Sequence, residues 1–415
     1  MPLFTVTKQP KFLEFVFLMA LTISMVALAI DTMLPALPQI ASDLGVVKIN
    51  DSQYVISILF AGMAVGQMIF GPMSDSLGRK HAINLGFAFF IIGCLVSLFA
   101  TSFTTMLIGR FLQGLGAAGP RVVSTALVRD LYQGREMARV MSFVMTIFIL
   151  VPVIAPSVGQ VILIFSDWRG IFLLFLVLSV IVSVWFNCRQ PETLALDKRI
   201  KFSISQILID TKKILTIPVA IGYTIAAGIV FGAFLGYLSS SQQIFQVQYA
   251  LGDQFALYFG VLAASVGVAS LVNAKLVMRF GMRRLSQGAT VFIVVLSVPF
   301  YFIAEHYAGN PPLIQLMIYL LAVFFFIGIL FGNLNALAME PLGSIAGLGA
   351  AVVGSLSTLV SVVLGVAVSS AYDNTVLPLV SGFALLGISC LVVMAWTEVM
   401  SAKALKQGCT ESGPS

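Results

Sequence analysis

Three ionisable side chains interrupt apolar runs of this 415-residue chain: Asp31 in the first run, Arg110 and Arg121 together in a later one. An aspartate at the centre of a bilayer-crossing helix costs about 2.5–3.5 kcal/mol on insertion scales, so it is rare there without a role. Competition between desolvation and a nearby cation could set such a carboxyl to take up and release a proton. Pro35 lacks the N–H that would bond the Asp31 carbonyl, so the helix is free to bend at this acid. The competing reading places Asp31 among the outer headgroups, where it merely ends its span. Arg110 and Arg121 are close to three turns apart, hence on one helix face and about 16 Å apart along the axis. Neither can lose its proton. Arg110 falls at a depth similar to Asp31, and it either pairs with that acid or its hydrogen-bond shell, or is a structural cation capped by carbonyls. Arg121 lies nearer the inner end, where its stem would let the charge snorkel to the cytoplasmic surface. Gln113 stands between the two arginines, and Gly114, Gly116 and Gly119 allow neighbouring helices to approach closely.

The elements that must position these groups follow from composition. Hydrophobic residues make up 59% of the chain and charged ones only 10%, against about 25% charged in a soluble domain. That excludes a soluble enzyme, a disordered protein and a secreted disulfide scaffold, and it leaves lipid as the outer solvent. Twelve apolar stretches of bilayer-crossing length can be marked, at 12–35, 53–73, 81–100, 105–127, 138–164, 168–188, 217–239, 254–276, 285–304, 313–337, 347–371 and 376–398. With the N-terminus in the cytoplasm, 19 of the 23 Lys and Arg residues fall on the inner side, Lys48 and Arg169 fall outside, and Arg110 and Arg121 stay within a span. The net charge of +6 is therefore a topology signal, and no nucleic-acid partner is expected. Cys94, Cys188, Cys390 and Cys409 form no framework; with His81 at an interface and His306 in an outer loop, no metal site is expected. There is no Walker motif for ATP drive and no Ser/His/Asp arrangement for hydrolysis.

The longest polar stretch separates the sixth and seventh spans and divides the chain into a six-helix bundle at 1–188, a connector at 189–216, a second bundle at 217–398 and a tail at 399–415. Ile204–Leu215 has amphipathic spacing with Lys212 and Lys213 beside it, which suits a helix on the inner leaflet or a plain connector. Gln407–Ser415 is small and polar and is expected to lack fixed structure. The turn after span two, Gly71-Pro72-Met73-Ser74-Asp75-Ser76-Leu77-Gly78-Arg79-Lys80, aligns at an offset of 203 residues with the turn around Gly281 after span eight. Internal repeats of this kind are the usual plan of secondary transporters, with the substrate path between the halves. Gly78 permits a turn that a Cβ would hinder, and Asp75 can pair with Arg79 across it, as a latch on one conformation or as a charged turn that fixes topology. Pro152, Pro156 and Gly159 could bend span five as a hinge or a static kink. Asp31, Gln113, Arg121, Asn333 and Asn335 are candidates to line a cavity, with polar packing as the alternative for the two asparagines.

The turn from Gly71 to Lys80 resembles the loop signature of the major facilitator superfamily. Arg110-Phe111-Leu112-Gln113-Gly114-Leu115-Gly116-Ala117-Ala118-Gly119 resembles that superfamily's fourth-helix motif, and Ile30-Asp31-Thr32-Met33-Leu34-Pro35-Ala36-Leu37-Pro38 is similar to the first helix of its bicyclomycin/chloramphenicol-resistance drug:proton antiporters. The likeness covers the first half and, more weakly, the second. One departure stands in span five, where Ala155-Pro156-Ser157-Val158-Gly159-Gln160 keeps the antiporter motif's proline and one glycine only. The resemblance implies an all-α membrane protein of twelve transmembrane helices in two pseudo-symmetric six-helix bundles. It implies a monomeric exporter of small lipophilic or amphipathic compounds in a bacterial inner membrane, with both termini cytoplasmic, no cofactor, and the proton gradient as drive. In this reading Asp31 and Arg110 couple the proton, while Asp75, Gly78, Arg79, Pro156 and Gly159 serve gating. A transporter dedicated to one metabolite, such as a siderophore or sugar, or a nutrient importer, is the alternative.

Overall fold

The computed structural model describes residues 10–200 and 202–411. Its helices are α1 (Phe12–Asp31), the short α2 (Leu37–Asp43), α3 (Tyr54–Leu77), α4 (Arg79–Leu98), α5 (Phe103–Leu131), α6 (Gly134–Phe165), α7 (Arg169–Arg189), α8 (Ile204–Thr216), α9 (Pro218–Gln242), α10 (Phe255–Phe280), α11 (Met282–His306), α12 (Leu313–Met339), α13 (Ala346–Ser370) and α14 (Leu377–Glu411). All but α2 and α8 are long enough to cross a bilayer, which gives the twelve expected among the described residues, and no strand is found there. The expectation that Gln407–Ser415 lacks fixed structure is corrected for residues 407–411, because α14 continues as a helix to Glu411; residues 412–415 lie outside the described residues, as do Lys8 and Lys201.

Eleven of the twelve are also apolar enough to qualify as spans by composition. The exception is α5, which carries Arg110, Gln113, Arg121, Arg129 and Asp130 among its glycines. It can be polar because it is inside: α3 and α4 are packed along it more closely than along any other helix, and Arg110, Gln113 and Ala118 have no exposed surface. The approach requires glycine. A Cβ on Gly114 would strike the Leu59 carbonyl of α3, and one on Gly116 would strike the Phe90 backbone of α4. By contrast, α6 and α7 expose Leu150, Ile154, Val161, Val177, Ile181 and Val184, as lipid-facing helices must.

The contacts divide the chain into two compact units, residues 1–203 with 238–264, and residues 204–237 with 265–415. The first unit holds α1 to α7 and also takes in the end of α9 and the start of α10. There α9 passes into a π-helical stretch, Gln243–Gln248, whose first residue is hydrogen-bonded to Gln53 and, through Nε2 at 3.2 Å, to Asn50. The second unit has an aromatic core in which Phe231 and Phe234 of α9 meet Phe331 of α12, and Tyr237 meets Phe324 edge-on at 4.6 Å. The amphipathic segment forms α8 as its spacing predicts, packed on α13 with Leu208, Ile209 and Leu215 exposed. On its polar face Gln206 and Lys213 hold the Asp210 carboxyl below its ordinary pKa.

The repeated turn also appears. Gly78 joins α3 to α4 at φ +102° and ψ 156°, and Gly281 joins α10 to α11 at φ +76° and ψ 158°. Both are in a backbone region that is essentially restricted to glycine.

Candidate functional site

The acid lies where α1 breaks. The helix stops at Asp31, passes through a bend and a tight turn at Leu34–Ala36, and resumes as α2. Pro35 sits in that turn, and the N–H groups of Thr32, Met33 and Ala36 are bonded to Leu28, Ile30 and Met33. Trp168 fixes the far side, with its ring N–H donating to Asp43 at 2.9 Å and its backbone N–H to Gln39 at 3.1 Å. The α-helical run is interrupted at this acid, as Pro35 predicts. The Asp31 side chain is 4% exposed inside a continuous apolar segment running from Phe12 to Asp43. Among the described residues its carboxyl has neither a hydrogen-bond partner nor an ion-pair partner.

Arg110 does not pair with it. The guanidinium, wholly buried, donates through Nε to the Val55 carbonyl at 2.9 Å, through Nη1 to Gln113 Oε1 at 2.7 Å, and through Nη2 to the Ala29 carbonyl at 2.9 Å. The expected Arg110–Asp31 ion pair is thus replaced by a three-way tie of α1, α3 and α5, and Phe172 of α7 lies 6.0 Å from the guanidinium carbon. The link to the acid is indirect, through a carbonyl two residues before it. Gln113 uses both ends of its amide: it accepts from Arg110 and donates to Cys94 Sγ at 3.1 Å. With no exposed surface it lines no cavity, which corrects its assignment to one.

Arg121 is half-buried, and its Nη1 lies 3.3 Å from Met63 Sδ. Its expected snorkelling toward the Arg79 end of the bundle is not seen. A helical side chain leans toward its own N-terminus, and for α5 that direction is away from Arg79. Asn333 is 4% exposed and exchanges amide hydrogen bonds with Asn273 at 2.9 and 3.1 Å, which is polar packing. Asn335 is exposed, and its amide donates to the Phe331 carbonyl of its own helix. A cavity of about 770 Å³ opens between α11 and α12 around Pro299, Tyr307 and Ile318, away from all the residues singled out above.

The turn residues are brought together. Arg79, 4% exposed, donates to Asp75 at 2.5 Å, to Ser74 Oγ at 2.8 Å and to Asp130 of α5 at 2.9 Å. Glu192 accepts the backbone N–H groups of Arg79 and Lys80 at 2.9 and 3.1 Å, satisfying two of the orphan donors that begin α4. The second unit repeats the motif: Arg283, at the start of α11, pairs with Glu340 at the end of α12 and with Glu398 of α14, which also accepts from Tyr223. Gly159 of α6 faces the break in α1, where a Cβ on it would strike the Thr32 carbonyl and come within 3.0 Å of Pro35; Pro156, three residues before it in the same helix, is buried. Asp130, Glu192, Glu398 and Met63 were not expected as partners. The signal for Asp130 and Glu340 was their place at the ends of corresponding spans; a thioether in an apolar run gives none.

The sequence pattern of the Major Facilitator Superfamily matches residues 19–365. The chain is 29% identical over 351 residues to an uncharacterised transporter of this type, YdgK of Bacillus subtilis, covering 84% of this chain and 86% of that one. It is also 29% identical over 362 residues to a bicyclomycin resistance protein homolog of Haemophilus influenzae, covering 84% and 87%. Among solved structures, the human organic anion transporter MFSD10 superposes with a TM-score of 0.70 at 17% identity, over 94% of this chain and all of that one. Twelve helices of bilayer-crossing length, eleven of them apolar enough to qualify by composition, a glycine-turn repeat and a pattern match over most of the length agree: the chain belongs to the major facilitator superfamily, the integral membrane transporters of small molecules.

Proposed function

We propose that this transporter exports small lipophilic or amphipathic compounds in exchange for protons, and that Asp31 carries the proton. The observation that carries the reading is a carboxyl buried at 4% exposure, in a helix break, with no hydrogen-bond or ion-pair partner among the described residues. Of Asp31, Arg110 and Arg121, the acid alone can change charge, because the two arginines keep theirs. A proton that binds and leaves here alternately creates and removes a charge beside the helix break that Gly159 of α6 touches. That is a means of biasing two conformations by protonation. The similarity to a bicyclomycin resistance protein homolog supports drug export as the direction. The 19-to-2 distribution of basic residues supports a bacterial inner-membrane protein with cytoplasmic termini, and it is proposed to act as a monomer. The membrane potential would supply about 2.3 kcal/mol per 100 mV for each proton moved.

The test uses full-length protein in proteoliposomes with an imposed pH gradient. Addition of a lipophilic drug should release protons from the loaded wild-type protein, and Asp31→Asn should bind drug without releasing any. Undiminished proton release from Asp31→Asn removes the acid from the mechanism. Uptake driven with the gradient rather than against it replaces the exporter by an importer.

A further inference from the structure

The buried cations of the first unit are not equally provided for. Arg110 spends its donors on two carbonyls and an amide oxygen. Arg121 has one contact among the described residues, the sulfur of Met63, a weak acceptor with no charge. No carboxylate of the described residues pairs with it. Its guanidinium presents a rigid fork of five N–H groups matched to a planar oxyanion, and most of that fork has no protein acceptor.

Depth makes the arrangement costly. α3 and α5 run in the same direction, with Gly62 against Phe111 and Leu115, and Gly66 against Leu115 and Ala118. Arg79 and Asp130 meet at their shared end. On that register the Arg121 Cα lies near the level of Phe70, and its side chain climbs back to Met63. Met63 is about 21 Å along α3 from the helix end at Leu77. The cation is therefore held near mid-span, away from either end. Asp31 cannot balance both arginines: with that acid ionised, the three buried groups still sum to one positive charge. A half-buried guanidinium near mid-span, whose one hydrogen-bond partner among the described residues is a thioether, is an incomplete ion pair.

We propose that Arg121 is an oxyanion subsite, and that the compounds this protein carries include amphipathic monoanions, with a carboxylate or related group on an apolar, often aromatic, body. The carboxylate takes the open fork of Arg121 bidentately, and Met63 packs against the adjoining apolar part. This deepens the exporter reading by naming a substrate class, and it rests on that reading only for the direction of transport.

The test is binding of naphthoate and of its neutral amide, naphthamide, to the full chain in phosphatidylcholine nanodiscs. Wild-type protein should prefer naphthoate by about tenfold or more, the size expected of a charge-assisted bidentate contact. Arg121→Gln, which keeps donors without charge, should bring the ratio to near one, while Arg121→Lys should keep part of it. No preference in the wild-type protein overturns the subsite without any variant having to fold, and so does an unchanged ratio in Arg121→Gln. Nanodiscs containing phosphatidylglycerol separate the other source of oxyanion: loss of naphthoate binding there assigns the guanidinium to a lipid headgroup and overturns the substrate claim. Lipophilic compounds that exchange with protons but show no carboxylate preference leave the exporter reading standing and this one fallen. A carboxylate preference without proton exchange does the reverse.

Discussion

At the scale of single residues, two buried arginines on one helix face have opposite characters because their acceptors differ. Arg110 is a structural cation: it ties α1, α3 and α5 through three hydrogen bonds of 2.7 to 2.9 Å and has no exposed surface. Lysine keeps the charge but has one nitrogen in place of a planar fork, so it cannot reach all three acceptors. Arg110→Lys should lower stability by about 2–4 kcal/mol, the cost of one or two buried acceptors left unpaired. Thermal unfolding in detergent reads this directly. Asp31→Asn should unfold at the wild-type temperature, since the acid has no partner to lose; a large drop would show that the carboxyl is structural. The sequence already carried the two arginines, their common face and the rarity of the acid. It could not carry what Arg110 bonds, because carbonyl acceptors exist at every residue and only tertiary packing selects Ala29 and Val55.

At the scale of elements, α5 shows how a membrane helix can fail a hydropathy test and still be the best-packed one. Its glycines let α3 and α4 close on it, and that enclosure shelters Arg110 and Gln113. A methyl group on Gly114 is aimed at the Leu59 backbone, which cannot rotate aside. Gly114→Ala should therefore destabilise by about 1–3 kcal/mol through overpacking. Gly288 of α11 has open space around it, so Gly288→Ala should gain about 0.5–1 kcal/mol from helix propensity alone. The opposite signs, read as unfolding temperatures, separate close approach from backbone entropy. Span boundaries were legible to within a few residues because lipid imposes length, except at the end of α14, which runs past the expected 398 to Glu411. The end of α1 at Asp31 rather than near 35 was foreshadowed by Pro35 alone. The π-helical stretch after α9 had no signal in the sequence, since it depends on the side chains that Gln243 meets in the first unit.

At the scale of the whole molecule, the internal repeat was visible as an offset between two glycine turns, and both turns take the same unusual backbone. What the repeat could not reveal is that the halves treat the turn differently. Gly281 is open, with nothing near an added Cβ, whereas Gly78 is covered by the connecting segment: a Cβ there would strike the Glu192 carboxylate and come within 2.8 Å of Arg199. The same segment donates from the Ile200 N–H to the Asp75 carbonyl at 3.0 Å and caps α4 through Glu192. Residues 190–200 are thus a strap on one turn of a symmetric pair. Gly281→Ala should cost about 1–3 kcal/mol from backbone strain alone. Gly78→Ala should cost that and the displacement of the strap as well. In a Glu192→Ala background the excess should disappear, because the collision with the carboxylate and the caps have already been removed and the remaining contact is with the far end of the flexible Arg199 side chain, leaving the two glycine substitutions equal within about 0.5 kcal/mol. Equal costs in the wild-type background, or an excess that survives Glu192→Ala, would mean that the connector merely passes the turn and that the asymmetry arises elsewhere in the first unit.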